Sequence, residues 1–286
     1  MNIAITGQKG LIGSYLKERL KEEGHKIVLE IDIRDGKNIL GMKDLISPDK
    51  IDLMIHAAAH CKINQAVENP ELAHYNDSEG TFQVLEFCRK NKIPKILYFS
   101  SSRVLSKEKS PYTAAKIYGE ELCKAYHNSY GIDYLIIRPS TVYGPFWDRT
   151  RRLMHILIVN ALQGKDLEIF GDSDKTLDFT YIEDFIDAIV LAMNNPWNKE
   201  YDISGGEEYN IYDLAKFIIK ETESKSQIRF REPEIAQPQK VKLGIEEIKN
   251  IGYAPKFPLE LGVKETIKWY REFIDTVKEA SDEISG

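Results

Sequence analysis

Tyr112 and Lys116 stand four positions apart in Ser110-Pro111-Tyr112-Thr113-Ala114-Ala115-Lys116, a spacing that sets both side chains on one face of a helix. A lysine ammonium beside a phenol favours the phenolate and draws a tyrosine pKa down from about 10, which suits a group that takes and returns a hydroxyl proton. Just upstream, Phe99-Ser100-Ser101-Ser102 supplies hydroxyls able to donate to a substrate oxygen. Taken alone, this set reads as a core tyrosine, a solvated lysine and a polar loop. A second motif reverses that balance.

Near the start of the chain, Thr6-Gly7-Gln8-Lys9-Gly10-Leu11-Ile12-Gly13 follows a short apolar run and opens a helical pattern. Gly7, Gly10 and Gly13 have separate mechanical uses: a tight turn, close backbone approach to a pyrophosphate, and close packing of helix on strand. The helix N-terminus then turns its amides toward the anion. Asp32 follows Gly13 by 19 positions, at the end of the second apolar run. An acid there accepts hydrogen bonds from the adenosine ribose and repels a 2′-phosphate, so the expected cofactor is NAD rather than NADP, with Arg34 working against the preference.

The elements that must position these residues are legible as alternation. Ile3–Thr6, Ile27–Ile31, Leu53–His56, Ile96–Ser100 and Tyr134–Arg138 are rich in Ile and Leu without polar alternation, the pattern of parallel strands buried on both faces. Between them lie amphipathic stretches: one with Leu11, Ile12, Tyr15, Leu16 and Leu20 on one face, one over Thr81–Asn91, and one over Tyr112–Tyr130. The expected fold class is α/β, a Rossmann-type doubly wound parallel sheet over residues 1–145, with a smaller C-terminal substrate-binding lobe from 146–181 and 205–286. Residues 182–204 are expected to return to the sheet as a helix and a strand.

Composition narrows the function classes. The 286 residues carry 39 Lys+Arg against 45 Asp+Glu, a net charge of −6, with 42% hydrophobic residues and three cysteines. No concentrated basic stretch marks a general nucleic-acid or anionic-membrane surface, and no apolar window approaches the length of a bilayer span. The first residues read directly as a strand with no charged lead, so a cytoplasmic protein without a signal peptide is expected. Cys61, Cys88 and Cys123 fit no zinc spacing and read as small core residues. His56 and His60, four apart, have no carboxylate at ligand spacing, so no metal is expected. Arg149, Arg151 and Arg152 read as a solvated basic face, with contact to a nucleotide phosphate as the alternative.

Further motifs make the reading specific. His56-Ala57-Ala58-Ala59 follows the third run, and Asn76 precedes Gly80-Thr81. Arg138-Pro139-Ser140-Thr141-Val142-Tyr143-Gly144-Pro145, Asp178-Phe179-Thr180-Tyr181-Ile182-Glu183-Asp184 and Gly252-Tyr253-Ala254-Pro255-Lys256 come in order, ahead of a terminal helix with Trp269-Tyr270. With Thr6–Gly13 and Tyr112-x-x-x-Lys116, these make the chain similar, almost end to end, to the extended short-chain dehydrogenase/reductases of the NAD-dependent nucleotide-sugar epimerase/dehydratase family. The resemblance implies Tyr112 as the acid/base, Lys116 as its electrostatic partner and ribose ligand, and Ser101 as hydroxyl donor, with Ser102 in reserve. It further implies Ala57, Ala58 and Ala59 lining the cofactor with Gly7, Gly10, Leu11, Ile12, Gly13 and Asp32, Asn38 near the adenine, and Pro139 near the nicotinamide. A homodimer through the Thr81–Asn91 and Tyr112–Tyr130 helices is also implied.

The chain departs from the family pattern in places. Tyr112 follows Ser101 by only 11 positions, a shorter segment than the family's usual one beside the sugar. Thr141 stands where an asparagine commonly meets the substrate diphosphate, and Leu177 replaces an arginine clamp, leaving Lys175 or Arg231 to supply the charge. The implied reaction is epimerisation of a nucleotide-activated sugar, commonly at C4, through a transient keto-sugar. A dehydratase is disfavoured because Ser102-Arg103 occupies the place of that subgroup's Asp-Glu pair. The other readings are an NAD(P)H-dependent nucleotide keto-sugar reductase and a catalytically retired NAD-binding regulatory module.

Overall fold

The computed structural model describes residues 1–60, 62–235, 237 and 242–285, so Cys61 lies outside the described residues. The N-terminal half runs β1 (Asn2–Thr6), α1 (Leu11–Glu22), β2 (Lys26–Ile31), β3 (Leu53–His56), α2 (Ile63–Glu68), α3 (Pro70–Ala73), α4 (Gly80–Lys90), β4 (Lys95–Phe99), α5 (Pro111–Tyr130) and β5 (Asp133–Pro139). Then follow β6 (Thr141–Tyr143), α6 (Leu153–Leu162), β7 (Leu167–Phe170), β8 (Thr176–Tyr181), α7 (Ile182–Met193) and β9 (Lys199–Ile203). The chain closes with β10 (Glu208–Asn210), α8 (Ile211–Thr222), β11 (Ile228–Arg231), α9 (Glu246–Asn250) and α10 (Leu259–Ser285).

The main sheet is six-stranded, ordered β2-β1-β3-β4-β5-β9, and every pair in it is parallel. β1 lies between β2 and β3, so successive connections leave it in opposite directions and open a crevice at its carboxyl end. Thr6 is in register with Ile31 on one side and His56 on the other, which brings Gly7, Asp32 and Ala57 to one edge of that crevice.

Alternate residues of each strand enter different cores. Ile3, Ile5, Leu53, Ile55, Leu97, Phe99, Leu135 and Ile137 face one cluster, while Ala4, Met54, Ile96, Tyr98 and Ile136 face the other. Both faces are covered, which is why the strands read as continuous apolar runs. The first cluster does not stop at the sheet: it continues through Leu177, Phe179, Leu214, Val263, Ile267 and Tyr270, so the smaller lobe shares the main core.

Two boundaries differ from expectation. β6 lies ahead of Pro145 yet pairs with β8 and not with the main sheet, because the chain leaves the main sheet after Pro139, so the lobe's own three-stranded sheet, β10-β8-β6, begins before the expected cut. The helix expected over Thr81–Asn91 begins earlier. Asn69 accepts from Glu71 N, Pro70 opens α3, and a π-helical turn over His74–Glu79 joins it to α4.

Candidate active site

The glycine cradle has little spare room. Gly7 has φ +74°, and a β-carbon there would lie 2.6 Å from Ala58 N; one at Gly13 would lie 2.2 Å from Gly7 O. Glycine is therefore required at the first position by conformation and contact, and at the second by contact between α1 and the loop. Gly10 caps α1 without a side chain and no acid occupies the first turn, so the amides around Leu11 and Ile12 face no built-in anion. Ala57 N donates to Thr6 O at 3.1 Å and Ala58 N to Thr6 Oγ1 at 3.2 Å, holding the Ala57–Ala59 stretch against this turn.

Asp32 is buried at the end of β2, where its oxygens accept from Lys9 N and Arg34 N, each at 3.0 Å. It thereby ties the glycine loop to the second strand. Arg34 reaches back to Lys9 O, and Lys9 pairs with Asp35. Asn38 is exposed and accepts from Leu40 N at 3.0 Å. A cradle that a β-carbon would fill, an uncapped helix start and a buried acid at the second strand together fit a dinucleotide.

α5 sets the Tyr112–Lys116 face. Ser110 accepts from Thr113 N at 3.2 Å, Pro111 takes the first helical position, and Gly131 closes the helix at φ +71°. Both Tyr112 and Lys116 are buried. Lys116 Nζ donates to Phe99 O at 2.9 Å and lies 5.9 Å from the Tyr112 ring centre. Phe99 ends β4, so that one bond fixes the ammonium to the strand carrying the serines. Ser101 Oγ accepts from Arg103 N at 3.2 Å, capping a 3-10 turn over Ser102–Leu105. Its proton stays available for donation. Ser102 is buried beside it, and Ser100 donates to Glu120. Glu120 in turn takes a forked pair from Arg138 at 2.7 and 2.6 Å, clamping α5 to β5.

A buried carboxyl and a histidine lie within reach of the Lys116 charge. His56 spends both ring nitrogens on hydroxyls, Nδ1 on Thr6 at 2.8 Å and Nε2 on Thr81 at 3.2 Å. Burial, reinforced by Lys116, pushes it down to about 3, so it stays neutral and acts as a spacer between β1 and α4. Asp77 accepts from His60 N at 2.7 Å while its Oδ2 meets no partner among the described residues, and burial pushes it up to about 6 against the pull of Lys116. Burial likewise pushes Asp178 up to about 6.

On the substrate side, Pro139 ends β5 opposite Ile203, and Thr141 opens β6 opposite Phe179. Leu177 is buried in the main core, so no charge is available at its position. The two cations left open by the sequence separate. Lys175 donates to Phe170 O at 2.9 Å, and its pKa is pushed down by burial and by the charge of Arg103, with Glu234 acting oppositely. Arg231 is exposed and places Nε and Nη2 on Glu168 at 3.0 and 2.6 Å, joining β11 to β7. Asp77, Glu120 and Arg103 were not singled out as site residues from sequence. Their types are ordinary and only burial distinguishes them.

A doubly wound sheet with a dinucleotide crevice and a Ser-Tyr-Lys set at its open end defines an extended short-chain dehydrogenase/reductase. The chain belongs to the NAD dependent epimerase/dehydratase family, whose model matches residues 3–211, and NAD is the cofactor of that family. It is 28% identical to a putative UDP-glucose 4-epimerase of Methanocaldococcus jannaschii over 94% of this chain and 98% of that one. It is 29% identical to a UDP-N-acetyl-alpha-D-glucosaminuronate decarboxylase of Bacillus cytotoxicus, covering 94% and 97%. Among solved structures, a UDP-glucuronic acid 4-epimerase from Bacillus cereus, in complex with UDP-glucuronic acid and NAD, superposes with a TM-score of 0.85 at 26% identity, covering 96% of this chain and all of that one.

Proposed function

We propose that this protein is an NAD-dependent epimerase of a nucleotide-activated sugar, acting at C4. The observation that carries the reading is Lys116, fixed to the end of β4 by its bond to Phe99 O and set against the Tyr112 ring, with Ser101 on the same strand end. Bound in the glycine cradle, NAD supplies a hydride acceptor that can return the hydride. Tyr112 takes the proton of the sugar hydroxyl and gives it back, Lys116 stabilises the phenolate, and Ser101 donates a hydrogen bond to the same oxygen. Asp32 holds the adenosine ribose, Ala57–Ala59 and Pro139 line the cofactor, and Thr141 and Lys175 face the diphosphate.

Return of the sugar to its original oxidation level means that no cofactor is consumed. Proton NMR of UDP-, dTDP- and GDP-sugars with trace NAD should show one sugar converting to its C4 epimer. Tyr112→Phe should lower the rate by roughly 10²- to 10⁴-fold, the usual worth of a positioned acid/base. Stoichiometric loss of NADH on a keto-sugar, without epimerisation, would replace this reading with the reductase.

The working unit is proposed to be a homodimer through α4 and α5. Exposed Tyr118 on α5 and exposed Tyr75 beside α4 support this, and sedimentation at micromolar concentration tests it. A reducing, cytoplasmic setting belongs to the same reading, supported by the buried free thiols Cys88 and Cys123, both pushed well up by burial.

A further inference from the structure

Arg103 follows Ser101 by two positions, and its backbone N–H is the donor that Ser101 Oγ accepts. Its side chain is half-buried, and Nη1 is sealed from water with no hydrogen-bond partner among the described residues. A buried guanidinium nitrogen left unpaired costs free energy, and arginine does not escape by losing its proton. The groups whose charge reaches it are Tyr112, Glu108 and Glu234, from three separate segments. None closes a hydrogen bond to Nη1. Glu108 accepts from Ser106, and Glu234 accepts from Asn64. Lys175 adds a second positive charge within range. Arg103 thus holds a donor that no described residue uses, on the segment that also carries Ser101.

We propose that Arg103 is a specificity-determining residue that binds a carboxylate on the sugar itself, on the carbon next to the one Tyr112 serves, so that the preferred substrate is a nucleotide-linked hexuronate. This rests on the nucleotide-sugar reading above. In a hexuronate the carboxylate hangs from C5, the neighbour of C4, so a group whose charge reaches Tyr112 is placed to meet it. A planar guanidinium matches a carboxylate with two parallel hydrogen bonds, while a neutral hydroxymethyl group would leave Nη1 unsatisfied. The substrate diphosphate is the competing anion. Arg103 stands beside Ser101 and Tyr112, at the reacting end, which favours the carboxylate.

The test is calorimetric binding of UDP, UDP-glucose and UDP-glucuronate to the NAD-loaded protein carrying Tyr112→Phe, with and without Arg103→Gln. Support is UDP-glucuronate bound about tenfold or more tighter than UDP-glucose, and loss of that margin in Arg103→Gln while UDP and UDP-glucose change less than about twofold. Equal weakening of all three ligands would make Arg103 a diphosphate contact and overturn the proposal. So would UDP-glucose bound as tightly as UDP-glucuronate before any change at Arg103, a comparison that does not depend on the variant folding. Because binding is read without turnover, selectivity for UDP-glucuronate with no epimerisation of it by the unmutated enzyme would sink the epimerase reading and leave this one standing.

Discussion

At the residue scale, the site depends on groups held in states they would not adopt in water. Gly7 is the clearest backbone case, since alanine there would need a left-handed conformation and a contact of 2.6 Å with Ala58 N. Gly7→Ala is expected to abolish NAD binding measured by fluorescence titration. Asp77 is the clearest electrostatic case. Its carboxyl is raised to about 6 by burial, so the folded state holds a proton that the unfolded state has released. A raised acid imposes no penalty below the unfolded pKa of about 4 and a growing one as pH rises to about 6. Relative to Asp77→Asn, the parent should therefore lose stability across that interval, by at most about 3 kcal/mol. Urea unfolding of both proteins at pH 4 and pH 7 checks it; a constant difference would mean that Asp77 does not titrate there. His56 has the opposite sign, losing stability as pH falls below about 6.5, but it is common to both proteins and cancels.

At the element scale, α5 positions the chemistry. Its start is fixed by Ser110 and Pro111, and Tyr112 comes directly after them, so fraying of the first turn would move the acid/base. Ser110→Ala should cost about 1 kcal/mol and lower kcat more than it weakens NAD binding. The other end of the arrangement is the Glu120–Arg138 clamp, in which a buried carboxylate takes both guanidinium bonds. Glu120→Ala strands a buried charge that Glu200 and Asp202 answer only in part. A loss of about 3 kcal/mol in equilibrium denaturation is expected, at the low end for breaking such a pair.

At the scale of the whole molecule, one apolar cluster runs from Ile3 in β1 to Tyr270 in α10, and β9 completes the main sheet from far along the chain. Asp184 ties the two regions again by accepting from Lys256 N and Phe257 N, each at 2.9 Å. The lobes should therefore unfold together. Calorimetry is expected to give a single transition, and a fragment of residues 1–145 should show no cooperative unfolding, because it lacks α7, β9 and most of the shared core.

The glycine loop, Asp32, the Tyr112–Lys116 spacing and the positions of the first five parallel strands along the chain were legible in the sequence, because each is a local pattern: a turn, a helical period, an apolar run between amphipathic stretches. These local rules also carried the family resemblance. The placement of β6, the neutral state of His56, the raised carboxyls of Asp77 and Asp178, and the pairing of Arg231 with Glu168 were not legible. Each depends on what a distant segment brings alongside, through strand pairing, exclusion of water or a charge from another element. Arg103 shows the division most plainly. The sequence placed an arginine after the serines, and only the tertiary structure sealed one of its nitrogens from water with no partner among the described residues.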